Sequence, residues 1–403
     1  MERCAGLDWA KDTHRVCVLE GDGDSLLQRS FTHDERDLNG MCELLVGLGV
    51  KRIAIERPHG IVVERLLEAG LIVLPIHPNQ LKAARPRFRA AGGKSDSFDA
   101  FCLAELARTD HRRFRVLAPD SDQTKALRAL TRAREDLVKT KVSLTNRLQA
   151  ELDAFWPGAA CVFCRLDSPI ALAFLEHYPS PTDARALGEK RLAGFLTRHG
   201  YCGGKSPAEL LAKLRSAPRG RAREEEEAAR RAAVLSLLTV LRPVVEQIGL
   251  LESRIAEAVR AHPDGKIFLS LFRNPDSTLT AATLLSEIGD RRERYPSAEA
   301  LAADAGMSPV AKESGRRKVA TFRRSCDKRL RDAMTTLADS SRLHDPWAGE
   351  IYLRACERGC DHPHAIRVLG RAWLRVIWRM WQDGAPYDPS RHGGRKHLNA
   401  AGG

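Results

Sequence analysis

Residues 4–32 read CAGLDWAKDTHRVCVLEGDGDSLLQRSFT. Three short apolar runs, at Cys4–Ala10, His14–Gly21 and Ser25–Thr32, are separated by charged residues and by the turn former Gly-Asp-Gly-Asp. Each run is too short for a stable helix, so the spacing predicts three consecutive antiparallel strands. Helical spacing follows from Asp37 to Leu48, then a strand at KRIAIE (51–56), a helix at HGIVVERLLEAG ending on Gly70, and a strand at LIVLPIH (71–77). A basic segment, LKAARPRFRAAGGK (81–94), separates these from SDSFDAFCLAELAR (95–108), whose apolar residues again recur at helical spacing.

The resulting order, β-β-β-α-β-α-β-α, is that of a ribonuclease-H-like (RuvC-like) α/β domain, here spanning residues 1–118. In such a sheet the first and fourth strands are neighbours, so Asp8 and Glu56 are expected to project side by side. Asp96 and Asp99, at i and i+3, share one face of the last helix. Four converging carboxylates repel one another unless hard cations with a taste for oxygen ligands stand between them, which suits magnesium, with manganese as the alternative. Two such ions fit phosphodiester chemistry. Alone, the D-x-x-D pair reads better as Asp96 capping the helix with Asp99 as its capping-box partner; the acids on the first and fourth strands reverse the balance towards the metal. GGKS (92–95) is no phosphate-binding loop, because Phe88 stands where that motif requires glycine.

Strand signals stop near Ser121. Leu127, Leu130, Leu137, Leu144 and Leu148, interrupted by Arg134 and Lys141, predict a long helix with coiled-coil tendency, and Val234, Leu238, Leu241, Val245, Ile248, Ile255 and Val259 predict another, with Pro243 as a kink or start. Residues 119–262 thus form an all-α middle segment, with a helical insertion at about 156–221, whose stripes suit either packing within one domain or pairing between protomers. Residues 263–389 read as a C-terminal helical domain, with Trp373, Trp378 and Trp381 in its core, and 390–403 as a loose tail.

Lys and Arg number 65 against 52 Asp and Glu, a net charge of +13, so a polyanion is the first partner to consider. No apolar run is read as approaching the ~20 residues of a membrane span, and no signal peptide is read at the start, which predicts a cytoplasmic, nucleoid-associated protein. Ten cysteines then read as reduced thiols. Cys161, Cys164, His199 and Cys202 make the one assembled zinc pattern; the apolar setting of Cys161 and Cys164 favours buried thiols instead.

GLDWAKD, IAIER, KSDSFDA and the downstream AATLLSEIGD…YPSAEALAADAGMSPVAKESGRRK together resemble insertion-sequence transposases with a RuvC-like DEDD domain, relatives of the Piv and MooV invertases. The resemblance implies that Asp8, Glu56, Asp96 and Asp99 are the metal-binding acids, and that Ser314, of the Ser-Gly pair, is the nucleophile forming a phosphoserine link to DNA. It also implies double-stranded donor and target DNA, a noncoding guide RNA, and a homo-oligomer, dimer or tetramer. With acids before residue 100 and the serine beyond 310, the active site would be composite. The chain departs from the family pattern after Glu56, where Arg57-Pro58-His59-Gly60 stands, and at NPDSTLT (274–280). Nine basic residues crowd Lys312–Arg331. Lys82, Arg85, Arg87, Arg89 and Lys94 in the first segment, and Arg316, Arg317, Lys318, Arg323 and Arg324 in the second, are the candidate nucleic-acid contacts. Rival readings are a metal-dependent nuclease or junction resolvase, with water as nucleophile, and a non-catalytic nucleic-acid-binding protein.

Overall fold

The computed structural model describes residues 2–56, 58, 60–89, 95–218, 220–272, 277–314 and 317–392, with the backbone alone for 312–314, 317, 318 and 392. The chain divides into two compact units, Met1–Pro119 and Asp120–Gly403, so the segments read as 119–262 and 263–389 fall almost wholly within one of them.

In the first unit, β1 (Arg3–Trp9), β2 (Thr13–Leu19) and β3 (Ser25–Thr32) form an antiparallel meander. After α1 (Glu35–Gly47), β4 (Val50–Ile55) adds parallel to β1; after α2 (Ile61–Glu68), β5 (Ile72–Pro75) adds parallel to β4. The order is β3-β2-β1-β4-β5, with β1 beside β4 as the strand reading required. Side chains alternate along a strand, so β1 feeds both faces. Ala5 and Leu7 join Val16, Ile53, Ile55 and Val73 under Met41 and Leu45 of α1 and Val62 and Leu66 of α2. Cys4, Ala54 and Leu74 pack on the opposite face, beneath α3 (Pro78–Phe88) and α4 (Asp96–Thr109).

α3 corrects the sequence reading, in which the basic segment carried no element. His77 and Gln80 form a capping box, Pro78 occupies the first turn where proline costs nothing, and the helix runs on through Pro86. α4 lies so close to β1 that a Cβ on Gly6 would stand 2.1 Å from the Ala100 carbonyl oxygen and 2.2 Å from the Ala104 nitrogen.

The second unit begins with α5 (Asp122–Phe155), followed by the short helices α6 (Pro157–Val162), α7 (Pro169–His177), α8 (Glu189–Arg198) and α9 (Pro207–Ser216), and then α10 (Glu224–Ala261). The two leucine stripes meet within the chain. Leu148, Leu152, Val234, Leu238 and Leu241 share one core with Phe174 and Phe195 of the short helices. Leu127, Ile255 and Val259 share another with α11 (Gly265–Leu269), α12 (Thr278–Ile288), α13 (Ala298–Asp304), α14 (Lys328–His344), α15 (Pro346–Glu357) and α16 (His362–Asp383). The polar interruptions are satisfied there too: Arg134 reaches Glu252 at 2.6 Å and Lys141 reaches Asp167 at 2.7 Å.

Four expectations need correction. The chain beyond Pro263 is not helical throughout, since Val310–Ser314 and Arg317–Thr321 form an antiparallel hairpin, β6 and β7. Cys161 and Cys164 are exposed rather than buried. α10 is by length and composition apolar enough to cross a membrane, although Arg242, Pro243 and Glu246 interrupt it and its stripe faces two cores. The residues read as a loose tail begin with a short 3-10 turn, Pro389–His392; 393–403 lie outside the described residues. Trp373 and Trp381 are buried as expected, and the Trp378 indole N–H donates to the Tyr295 carbonyl at 2.8 Å.

Gly6→Val is expected to cost about 3 kcal/mol or more, because the added side chain must push α4 off the central strand. Chemical denaturation of the variant at wild-type stability would rule out this packing.

Candidate metal and nucleic-acid site

Local sequence explains how each acid is aimed. Gly6 and Asp8 alternate onto the α4 side of β1, and Ala54 and Glu56 do so at the end of β4. Leu7 pairs with Ile55 in the parallel register, so Asp8 and Glu56 each stand one residue beyond a paired position on adjacent strands. Both are half-buried. α4 starts at Ser95, whose hydroxyl accepts from the Phe98 N–H at 3.2 Å. Asp96 is therefore the first helical residue and exposed, and the alternative in which Asp96 caps the helix and Asp99 completes the box does not describe this terminus.

Asp99 is 1% exposed, one turn along the helix and just before the residues that press on Gly6. A carboxylate this buried demands a counterion. Arg85 of α3 supplies it through two parallel bonds, Nε to Oδ1 at 2.6 Å and Nη2 to Oδ2 at 2.8 Å. The bond to Asp99 raises the Arg85 pKa above its ordinary value, against desolvation, with further attraction from Asp99, Cys102 and Glu56. Beside it, burial pushes the Cys102 thiol up to about 11, and the negative charge of Asp99 adds to the shift. Three of the four acids thus share the α4 face, but among the described residues no three His, Cys, Asp or Glu side chains are grouped closely enough to hold a metal ion.

The basic segment is less open than its sequence suggests. Arg85 is committed to Asp99, Arg87 lies 3.2 Å from Asp110, and the Arg89 guanidinium stacks over Phe98 at 4.8 Å. Asp99 lies in α4 and Asp110 caps its C-terminal end, both beyond the acid-free stretch 81–94. Lys82 is exposed; Lys94 lies outside the described residues.

In the second unit Ser314 is the last residue of β6, opposite Arg317, at the tip of the hairpin. Gly315 and Arg316 lie outside the described residues, and Lys318 follows in β7. Arg324 is exposed, whereas Arg323 donates from Nε to the Ser308 carbonyl at 3.2 Å. Missed by the sequence reading are Arg367, Arg371 and Arg375 of α16, which line one cavity with Arg323; their i, i+4, i+8 spacing was the available signal.

Two family profiles match the chain: one described as Transposase, of the IS110 DEDD type, at residues 5–157, and one described as Transposase IS116/IS110/IS902 family, at 277–353. The "Mini-circle putative transposase for IS117" of Streptomyces coelicolor is 30% identical over 397 residues, 96% of this chain and 95% of the relative. The "Insertion element IS900 uncharacterized 42 kDa protein" of Mycobacterium paratuberculosis is 28% identical over 96% of this chain and 97% of its own. "Putative transposase y4uE" of Sinorhizobium fredii is 36% identical over 201 residues, 48% of this chain and 56% of the relative.

Arg85→Met is expected to destabilise the first unit by about 3 kcal/mol, the low end for a broken buried pair because Arg85 keeps 23% exposure. Adding Asp99→Asn should restore part of that loss. A double variant no more stable than the single, measured by urea unfolding, would show that Asp99 does not depend on Arg85.

Proposed function

Since the chain belongs to the IS110/IS116 family of transposases, we propose that it cuts and rejoins the DNA strands of a mobile element with a four-carboxylate metal site and a serine nucleophile. The observation that supports this reading is that Asp8 and Glu56 lie on the face covered by α4, which carries Asp99, in a sheet ordered β3-β2-β1-β4-β5, the order of ribonuclease-H-like and RuvC-like domains.

In its chemistry the donor set suits magnesium, or manganese, because it is all carboxylate oxygen and because buried Asp99 already takes a cationic partner, but the acids must draw together from the spacing seen here to ligate one ion. Asp8, Glu56, Asp96 and Asp99 would hold it. Once bound, the ion supplies charge neutralisation at the scissile phosphate and at the attacking and leaving oxygens. Arg85 must then give up Asp99, and a phosphate oxygen is the matching acceptor for its planar fork. Ser314 attacks phosphorus through its hydroxyl oxygen, the hydroxyl proton leaves to a base, and the ester oxygen of the broken strand departs, conserving the bond as a phosphoserine. A serine at the tip of a two-stranded hairpin is suited to reach a strand lying outside the fold.

Lys82, Arg87, Arg89, Lys94, Arg316, Arg317, Lys318, Arg323 and Arg324 are the proposed contacts to double-stranded donor and target DNA, with Arg85 joining once released. The same reading extends to a noncoding guide RNA, to a dimer or tetramer, to kinship with the Piv and MooV invertases, and to a cytoplasmic, DNA-associated protein.

Because Asp99 is locked into an ion pair, Glu56 gives the cleaner test of the acids. Glu56→Gln should abolish strand transfer with folding stability within about 0.5 kcal/mol of wild type. Retained transfer would remove Glu56 from the site. With a suicide DNA substrate, Ser314→Ala should yield no covalent protein–DNA adduct, while Ser325→Ala still forms one. If Ser314→Ala recombines DNA at a comparable rate, a metal-activated water, as in a junction resolvase, becomes the better account.

A further inference from the structure

Between the β6–β7 hairpin and α16 lies a cavity of about 500 Å³, within the range of small-ligand sites. We propose that it receives one unpaired nucleotide of a single nucleic-acid strand, base against the apolar wall and phosphate against the arginines. The choice of a nucleic acid rests on the transposase reading; the pocket and its selectivity rest on the following geometry.

The wall is chemically divided. Met307, Ile351, Val368 and Ala372 offer apolar surface, while Arg323, Arg367, Arg371 and Arg375 are the basic residues of the lining. Arg375 has a distant exposed partner in Glu299 at 3.6 Å; among the described residues no carboxylate is paired with Arg323, Arg367 or Arg371. At the rim Phe322 is 46% exposed, with the guanidiniums of Arg331 and Arg367 over its ring at 4.6 and 5.1 Å. Stacked guanidinium and aromatic planes form the kind of platform on which an unpaired base rests.

Two buried polar atoms in this wall lack a partner. Ser308 is 8% exposed and its hydroxyl oxygen makes no hydrogen bond; nor does Arg371 Nε. Buried groups of this kind are ordinarily satisfied, and since the Ser308 hydroxyl and Arg371 Nε–H can both donate, their shared presence in one cavity points to a ligand carrying acceptors. The cavity is also built rather than incidental. Gly306, at φ +66°, has the Arg331 guanidinium where a Cβ would stand, 2.4 Å from Nη2, and Gly370 lets α16 close on Met307, whose sulfur would lie 3.0 Å from an added Cβ. A duplex offers phosphates to such arginines but no base to the apolar wall, because its bases are paired and stacked. A strand that is unpaired, in DNA or RNA, offers both.

The test uses the full chain and fluorescence anisotropy with three probes: a ten-nucleotide oligodeoxythymidylate, a ten-nucleotide oligouridylate and a blunt DNA duplex. Ala320→Trp, at the exposed mouth on β7, blocks the cavity without changing charge. It should weaken at least one single-stranded probe by about tenfold or more and leave the duplex within about twofold. Arg371→Met should weaken the same probe and flatten its salt dependence, with an unchanged melting temperature. The probe that loses affinity identifies the strand as DNA or RNA. Wild-type affinity of Ala320→Trp for both single strands, or an equal loss on the duplex, would overturn the proposal. Absence of a Ser314 adduct in the wild-type protein would instead remove the transposase mechanism and leave these binding results standing.

Discussion

A helix held in backbone contact with the central strand governs the chemistry of the first unit. Because Gly6 presents no side chain, α4 settles directly onto β1, and its first turn is carried over the end of the sheet where Asp8 and Glu56 emerge. That approach buries Asp99 almost completely. The cost of burying a charge is then met by Arg85, and α3, the helix that bears Arg85, is held against α4 by the same pair. A guanidinium and a divalent ion compete for such a carboxylate on different terms: the guanidinium offers one delocalised charge in a planar fork, the ion two charges at closer range. An acid committed to an arginine is therefore stable without metal and remains available to one, provided the arginine has another anion to go to.

The second unit solves a different problem with the same interaction. Two helices of 34 and 38 residues are too long for one small core, and each end of the pair joins its own cluster of short helices. Ion pairs fix the register of α5 against its neighbours between those ends. Arg134 holds Glu252, and Arg132 binds the 1% exposed Glu287 of α12 through two bonds of 2.9 and 2.7 Å. Breaking a pair of the second kind leaves a buried charge alone, so slippage of α5 against α12 is strongly opposed.

What the sequence discloses follows from the range of the interactions involved. The strand positions were legible because alternation and turn residues are local signals, the adjacency of the first and fourth strands because the element order is that of a ribonuclease-H-like sheet, and the long helices because their stripes repeat. α3 was not, since Pro86 and a run of arginines resemble a loop until the capping box at His77 is seen. The hairpin was hidden because its strands are short and full of Lys, Glu and Arg, residues that report no periodicity. Ser95 rather than Asp96 caps α4 although either residue type suits the position. The Arg85–Asp99 pair joins residues fourteen apart on separate helices, which no local pattern announces. The cavity arginines of α16 did have a visible spacing, but nothing local distinguishes a pocket wall from a solvated face.

Counting charges along the chain also misplaces the electropositive surface. In the first unit the arginines that look most available are largely spent: Arg85 on Asp99, Arg87 on Asp110, Arg52 on Glu2, Arg65 on Glu35, Arg108 on Glu105. Phosphate binding there must displace an internal acid or rely on residues such as Lys82, so each contact gains less than a free cation would give. Around the cavity of the second unit, Arg367 and Arg371 meet an aromatic ring or a cavity instead of a carboxylate, and their field is not cancelled locally. The net charge of +13 is thus a sum over neutralised and open sites, and it is the open ones that set how steeply binding of a polyanion falls with salt.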